Sequence, residues 1–301
     1  MIEFHRLNPA DRQQYLSLLS GERGCEYSFV NINVWGRQRV AFQNGFCVIF
    51  SQFDRYSVYP FPVGQGDLKP VLDAMIQDAQ TRGIPFRLTG MSSLDCAEVE
   101  RLYPGKFHFH TDRDNFDYVY AIDDLAELTG KRYQSKRNFA NRFRSQHPNC
   151  EVLPLDETTV PAVLDMLDTW FAQRQELDPL ADFHLERIAL NRAFARRQEL
   201  ALEGLVLMED GHCLAMTMGS FLTNNTFDIH FEKALDGIDG AYAFINQSFA
   251  RYLREKYPTL QYLNREDDMG IPGLRKAKLS YHPHHLVEKH WARLWEEDDA
   301  H

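Results

Sequence analysis

Three stretches of this sequence carry side chains whose types and spacing could do chemistry. One is Asn264-Arg265-Glu266-Asp267-Asp268, followed through a Gly/Pro turn by Leu274-Arg275-Lys276-Ala277-Lys278. Acids just beyond the carboxyl end of a strand can take a proton from an amine or hydroxyl nucleophile, which makes Asp267 or Asp268 a candidate base. Cations one turn later, Arg275 and Lys278, can hold a phosphate or a developing oxyanion. A surface salt-bridge cluster would have the same composition, so the pattern alone leaves both readings open.

A second stretch runs from Glu232 through Gly237 and Gly240 to Tyr242. A strand that ends in a glycine loop and opens a helix presents backbone N–H groups at the positive end of the helix dipole, where phosphate or an oxyanion binds. Gly237 and Gly240 would also serve a simple turn and cap. The third stretch, residues 131–144, holds six cations and no acid in a chain of net charge -10. Lys136, Arg137 and Asn138 lie at its centre. These cations must meet anions, either carboxylates of the same chain or phosphates of a substrate. The histidines at 282, 284, 285 and 290 fit no standard zinc spacing, and alternate positions on a strand face opposite sides, so the protein is expected to bind no structural metal.

The elements that position these stretches occur in the same order twice. Each half opens with an extended segment and a helix, residues 2–7 with the helix after Asn8, then 150–155 with the helix at 160–171. Asn44-Gly45 and Asp210-Gly211 each predict a tight hairpin. A further strand, a glycine-containing loop, an amphipathic helix and a short strand follow in both halves, the helices near 67–81 and 240–256. A stretch rich in aromatics and histidines closes each half, 106–120 and 281–291. The fold class is therefore α/β (α+β) with an internal duplication, divided at His147-Pro148-Asn149 into residues 1–147 and 148–301.

Composition sets limits. With 301 residues, 44% of them hydrophobic and 13% aromatic, the chain can build substantial cores. Its apolar runs are too short for an integral membrane segment. Five cysteines without a close pair, and a first segment lacking a basic stretch followed by an apolar one, lead us to expect reduced thiols and a cytoplasmic protein. Cys47 and Cys213 lie in apolar segments as small core residues. The acidic global charge opposes general nucleic-acid binding while leaving local basic surfaces possible.

The run from Asn264 to Asp268 with Gly273-Leu274-Arg275-Lys276-Ala277-Lys278 and Tyr281-His282-Pro283 resembles the phosphatidylglycerol lysyltransferase C-terminal domain family. Lys136-Arg137-Asn138 and the segment from Phe231-Glu232 to Ala241-Tyr242 resemble it in the same order. The resemblance implies tandem GNAT-like domains, each a mixed, mostly antiparallel sheet flanked by helices. It also implies acyl or aminoacyl transfer, with Glu232, Gly237, Gly240 and Tyr242 joining Lys136, Arg137, Asn138 and Arg275 as substrate- or phosphate-binding positions. The chain departs from membrane-bound members in lacking their transmembrane region. It departs from GNAT acetyl-CoA loops in having Asp239 where a pyrophosphate would sit. The expected activity moves an aminoacyl group from aminoacyl-tRNA to an amine or hydroxyl of a lipid or small-molecule acceptor. Asp267 or Asp268 would be the base, with Lys278 and Arg275 on phosphate or oxyanion. Alternatives are an acyl-CoA-dependent N-acyltransferase and a non-catalytic module for a phosphorylated ligand. None of these requires a bound cofactor.

Overall fold

The computed structural model describes residues 1–53, 56–180 and 182–295. Its contacts group into two compact units. One is Met1–Asp117 with Asp267–Ile271 and the chain from Val287 onward; the other is Tyr118–Glu266 with Pro272–Leu286.

The first unit holds β1 (Arg37–Gln43), β2 (Phe46–Gln52), β3 (Ser57–Pro60), β4 (Val63–Gly64), β5 (Arg87–Met91) and β6 (Phe107–Thr111). With β14 (His290–Leu294) they form one sheet in the order β1-β2-β3-β5-β14-β6, β4 pairing on β2. Among the described residues of this sheet, only the β3–β5 pairing is parallel. Helices α1 (Arg12–Leu18), α2 (Phe29–Val34), α3 (Leu68–Arg82) and α4 (Ser93–Leu102) accompany it. Asp67 caps α3 by accepting from the Lys69 N–H, and the stripe Val71, Leu72, Met75 and Ala79 packs with Tyr59 and Phe86 in the core.

The second unit holds β7 (Asp117–Ala121), β8 (Glu151–Pro154), β9 (Glu203–Glu209), β10 (His212–Phe221), β11 (Thr226–Ala234), β12 (Tyr262–Asn264) and β13 (His285–Val287). Their order is β13-β7-β12-β11-β10-β9-β8. The helices are α5 (Ile122–Glu127), α6 (Gln134–Gln146), α7 (Val160–Leu177), α8 (His184–Ala195), α9 (Ala241–Lys256) and α10 (Pro272–Leu279). Helix α9 supplies Phe244, Ile245, Phe249 and Leu253 to a core that includes Phe227 and Ile229 of β11. Among the described residues, no helix is long and apolar enough to cross a membrane.

Each unit is thus a mixed sheet with flanking helices. Both predicted hairpins form, with Gln43 opposite Phe46 and Glu209 opposite His212; Asn44 and Asp210 take the positive φ that such turns require. The extended segment 2–7 contributes less than expected, a single bridge between His5 and Val40.

The grouping of contacts departs from the division expected at 147/148. The closing strand of each half is exchanged: β7 pairs with β12, and β14 pairs with β5. The basic helix α6 also falls in the second unit, because it packs on α9. The Phe143 and Phe244 rings stack with centroids 4.9 Å apart. Gly240 begins α9 at φ +83, and a Cβ there would stand 2.1 Å from the Phe139 carbonyl oxygen. Only glycine allows both that conformation and that approach.

Candidate functional site

The site begins with a fault in a β-ladder. Strands β11 and β12 run parallel for three residue pairs, ending at Asp228–Asn264. On its other edge β11 pairs antiparallel with β10, but the register shifts between Met218 and Gly219 and leaves His230 as an extra residue. A bulge of this kind reverses which face the following side chains take. Asp228 and His230 come together on one side of the strand. Glu232 instead turns to α9 and accepts a hydrogen bond from Asn246 Nδ2 at 3.2 Å.

Beyond β12, Arg265 reaches the same carboxylate. Its Nη2 stands 2.8 Å from Glu232 Oε1, and both side chains are largely buried. The guanidinium lies over the rings of Tyr281 and Tyr120, at 4.9 and 5.7 Å. Burial is the largest influence on the Arg265 pKa and lowers it, but the Glu232 charge and hydrogen bond, together with the Tyr120 and Tyr281 phenols, leave it raised. Lys136 of α6 places Nζ 4.0 Å from the centroid of the Tyr281 ring. Burial first, and the Arg265 charge second, bring Lys136 down to about 8. Burial pushes the Tyr281 phenol up to about 12.

Several polar atoms around Glu232 are buried and have no hydrogen-bond partner among the described residues: Arg265 Nη1, Asn246 Oδ1 and Thr217 Oγ1. Thr217 lies directly opposite Glu232 in the β10–β11 register. A buried donor or acceptor without a partner costs about 1–3 kcal/mol. Here a donor, an acceptor and a hydroxyl that can act as either sit beside one carboxylate, a set suited to a ligand carrying both an ammonium and a carbonyl group.

The residues expected from sequence divide into those that join this cluster and those that do not. Glu232 and Lys136 join it. Lys278 supports it, since its ammonium donates to the Arg265 and Glu266 carbonyls at 2.5 and 3.1 Å, and Tyr120 donates to the Lys278 carbonyl at 2.8 Å. That posture ties the Lys278 ammonium to the backbone that carries Arg265 and Glu266. Arg137 turns to the Leu128 and Gly130 carbonyls at the end of α5, a favourable place for a cation. Asn138 is exposed on α6, and Arg275 is half-buried on α10.

The glycine loop is held by its own acids. Asp236 pairs with Arg174 of α7 at 2.7 Å, and Asp239 pairs with Arg142 of α6. Gly237 and Gly240 therefore sit in a loop whose carboxylates have drawn arginines in, and at Asp239 the basic helix meets an acid of the same chain. Tyr242 lies in the first turn of α9 and is 38% exposed. Asp267 and Asp268 group with the first unit. Their carboxylates accept from the Met269 and Gly270 N–H groups, and Arg113 stands 3.6 Å from Asp268. Sequence reasoning passed over Arg265, Asn246 and Thr217. Arg265 was visible inside the Asn264–Asp268 run, whereas the other two look like ordinary strand and helix residues.

The family model described as "Phosphatidylglycerol lysyltransferase, C-terminal" matches residues 18–293. The chain belongs to the phosphatidylglycerol lysyltransferase C-terminal family. The family is one of aminoacyl and acyl transferases. A conserved protein of unknown function from Bacteroides thetaiotaomicron VPI-5482 is 38% identical to this chain, with a TM-score of 0.91 over 98% of this chain and 100% of that one. The C-terminal domain of a putative lysylphosphatidylglycerol synthetase from Agrobacterium fabrum shares the fold at 16% identity, with a TM-score of 0.66 over 96% of this chain and 94% of that domain. An uncharacterized protein from Mycoplasmoides gallisepticum, MYCGA3080, is 25% identical over 182 residues, 59% of this chain; the match spans 56% of that relative's length.

Proposed function

We propose that this chain transfers an aminoacyl group from aminoacyl-tRNA to an amine or hydroxyl of a lipid or small-molecule acceptor. The observation that carries the reading is the mixed set of partnerless buried atoms around Glu232. An aminoacyl ester offers an ammonium and a carbonyl a few ångströms apart. Glu232 and Asn246 Oδ1 receive the α-ammonium, and Arg265 Nη1 donates to the ester carbonyl oxygen. A simple acyl thioester has no ammonium to place there.

In the reaction the acceptor's nitrogen or oxygen attacks the ester carbonyl carbon. Negative charge gathers on the carbonyl oxygen against Arg265, in the role first expected of Lys278. The ester C–O bond then breaks, leaving the terminal ribose hydroxyl of the tRNA. Lys136, held at about 8, takes the acceptor's proton when neutral and returns it to the leaving oxygen. This assigns to Lys136 the role the sequence suggested for Asp267 or Asp268, whose carboxylates are occupied at the Met269–Gly270 turn. Arg275 and the exposed face of α6 remain the candidates for the donor's phosphates.

Incubation of the protein with charged tRNA, or with acyl-CoA, in the presence of mixed lipid and amine acceptors tests the proposal. Transfer from charged tRNA that fails in Glu232→Gln supports it. Transfer from acyl-CoA alone replaces it with the N-acyltransferase reading, and ligand binding without turnover replaces it with a binding module.

A further inference from the structure

The bulge that turns Glu232 towards α9 leaves a second cluster beside β11. His230 Nδ1 stands 3.5 Å from Asp228 Oδ2 and 3.4 Å from Glu266 Oε1. The three donor atoms all lie within 4.8 Å of one another. The Asp228 and His230 side chains are fully buried, and the Glu266 side chain is 22% exposed.

Those separations are long for hydrogen bonds between imidazole and carboxylate. In the same protein His147 Nδ1 meets Glu209 Oε2 at 2.6 Å. They match a different geometry. Donor atoms about 2.0–2.1 Å from a tetrahedral ion stand about 3.4 Å from one another.

The rest of the arrangement fits the same purpose. Ser220 Oγ lies 2.9 Å from His230 Nε2, so the far nitrogen of the ring is anchored while Nδ1 faces the two carboxylates. An outer partner of this kind orients a ligating imidazole. Glu266 is fixed at φ +56. Asn264 Oδ1 accepts from its N–H, and Tyr118 and Lys278 donate to its carbonyl.

We propose that Asp228, His230 and Glu266 bind a divalent cation of the zinc type, which joins β11 to the segment after β12. Two carboxylates and one neutral imidazole suit such an ion and neutralise its charge. Arg265 and Glu266 are consecutive, so the ion fixes the backbone that presents Arg265 to Glu232. The histidines at 282, 284, 285 and 290 take no part. His230 escaped notice because Asp-x-His on a strand has no recognised metal spacing.

The test uses the full chain, stripped with chelator and dialysed against Zn2+, with Co2+ as a spectroscopic probe. Expected are one Zn2+ per chain, a higher melting temperature with the ion, and the visible absorption of tetrahedral Co2+. Glu266→Gln and His230→Gln should abolish stoichiometric binding. Ser220→Ala, which loses only the anchor, should weaken it about tenfold. The surface variant His284→Ala/His285→Ala should bind as the parent does. If His230→Gln fails to fold, Glu266→Gln decides. Absence of stoichiometric binding in the parent, its survival in Glu266→Gln, or its loss in the surface variant overturns the proposal.

Discussion

Arg265 and Glu232 meet at 2.8 Å although their backbones share no ladder hydrogen bond at that point. Strands β11 and β12 have parted one residue before Arg265, and a bulge has turned Glu232 towards it. The pair bridges the gap that opening the sheet creates. In an α/β sheet, such a break beyond the strand ends is where a ligand gains access to backbone and side chains together.

Breaking this pair on one side should cost more than removing it. Arg265→Gln leaves the Glu232 charge buried and should lower stability by about 3 kcal/mol. The double variant Arg265→Gln/Glu232→Gln should recover most of the loss. Denaturant melts of the three proteins measure this, and a double variant no more stable than Arg265→Gln would show that the pair is not coupled.

Lys136 should leave a signature in the pH dependence of stability. Burial holds it at about 8, against 10.5 for an ordinary lysine. Between those values the folded protein binds fewer protons than the unfolded chain, so stability attributable to this group rises with pH across that window. Below pH 8 its full penalty applies. Lys136→Met should therefore raise the melting temperature at pH 7, and the gain should shrink towards pH 10. A gain independent of pH would assign the effect to packing.

Much of the architecture could be read from the sequence because short-range chemistry dictates it. Asn44-Gly45 and Asp210-Gly211 admit few turns other than the hairpins observed, and Asp67 marks the start of α3. The exchange of β7 and β14 could not be read in this way. Both are short alternating strands with no local preference between β5 and β12, and only tertiary pairing chooses. The bulge at His230 was hidden for a similar reason, since no residue type announces it. Without it, alternation puts Glu232 on the face of His230, away from Asn246. The acids of the 264–268 run then draw attention to Asp267 and Asp268 and away from Arg265 between them and the strand.

Lys278→Met tests whether that lysine supports the site or acts in it. It removes donors to the Arg265 and Glu266 carbonyls, at about 1.5–3 kcal/mol for each charged hydrogen bond. Stability and turnover should fall together. A large loss of turnover at an unchanged melting temperature would return Lys278 to the oxyanion role.

Gly240→Ala should be among the most damaging changes of a single methyl group. The left-handed conformation alone costs about 1–2 kcal/mol, and the Phe139 carbonyl would have to retreat from a 2.1 Å contact. Helix α6 should then loosen from α9. Amide exchange across residues 134–146 should quicken relative to the first unit; an unchanged pattern would contradict this account of the helix pair.

The central claim is that the Glu232 cluster recognises an aminoacyl ester by its free α-ammonium as well as its carbonyl. Single-turnover transfer from charged tRNA, compared with the same tRNA acetylated on the α-nitrogen, addresses it most directly. The account predicts that the parent strongly prefers the free amine and that Glu232→Gln loses most of that preference. Equal rates with both donors in the parent, or an undiminished preference in Glu232→Gln, would contradict it.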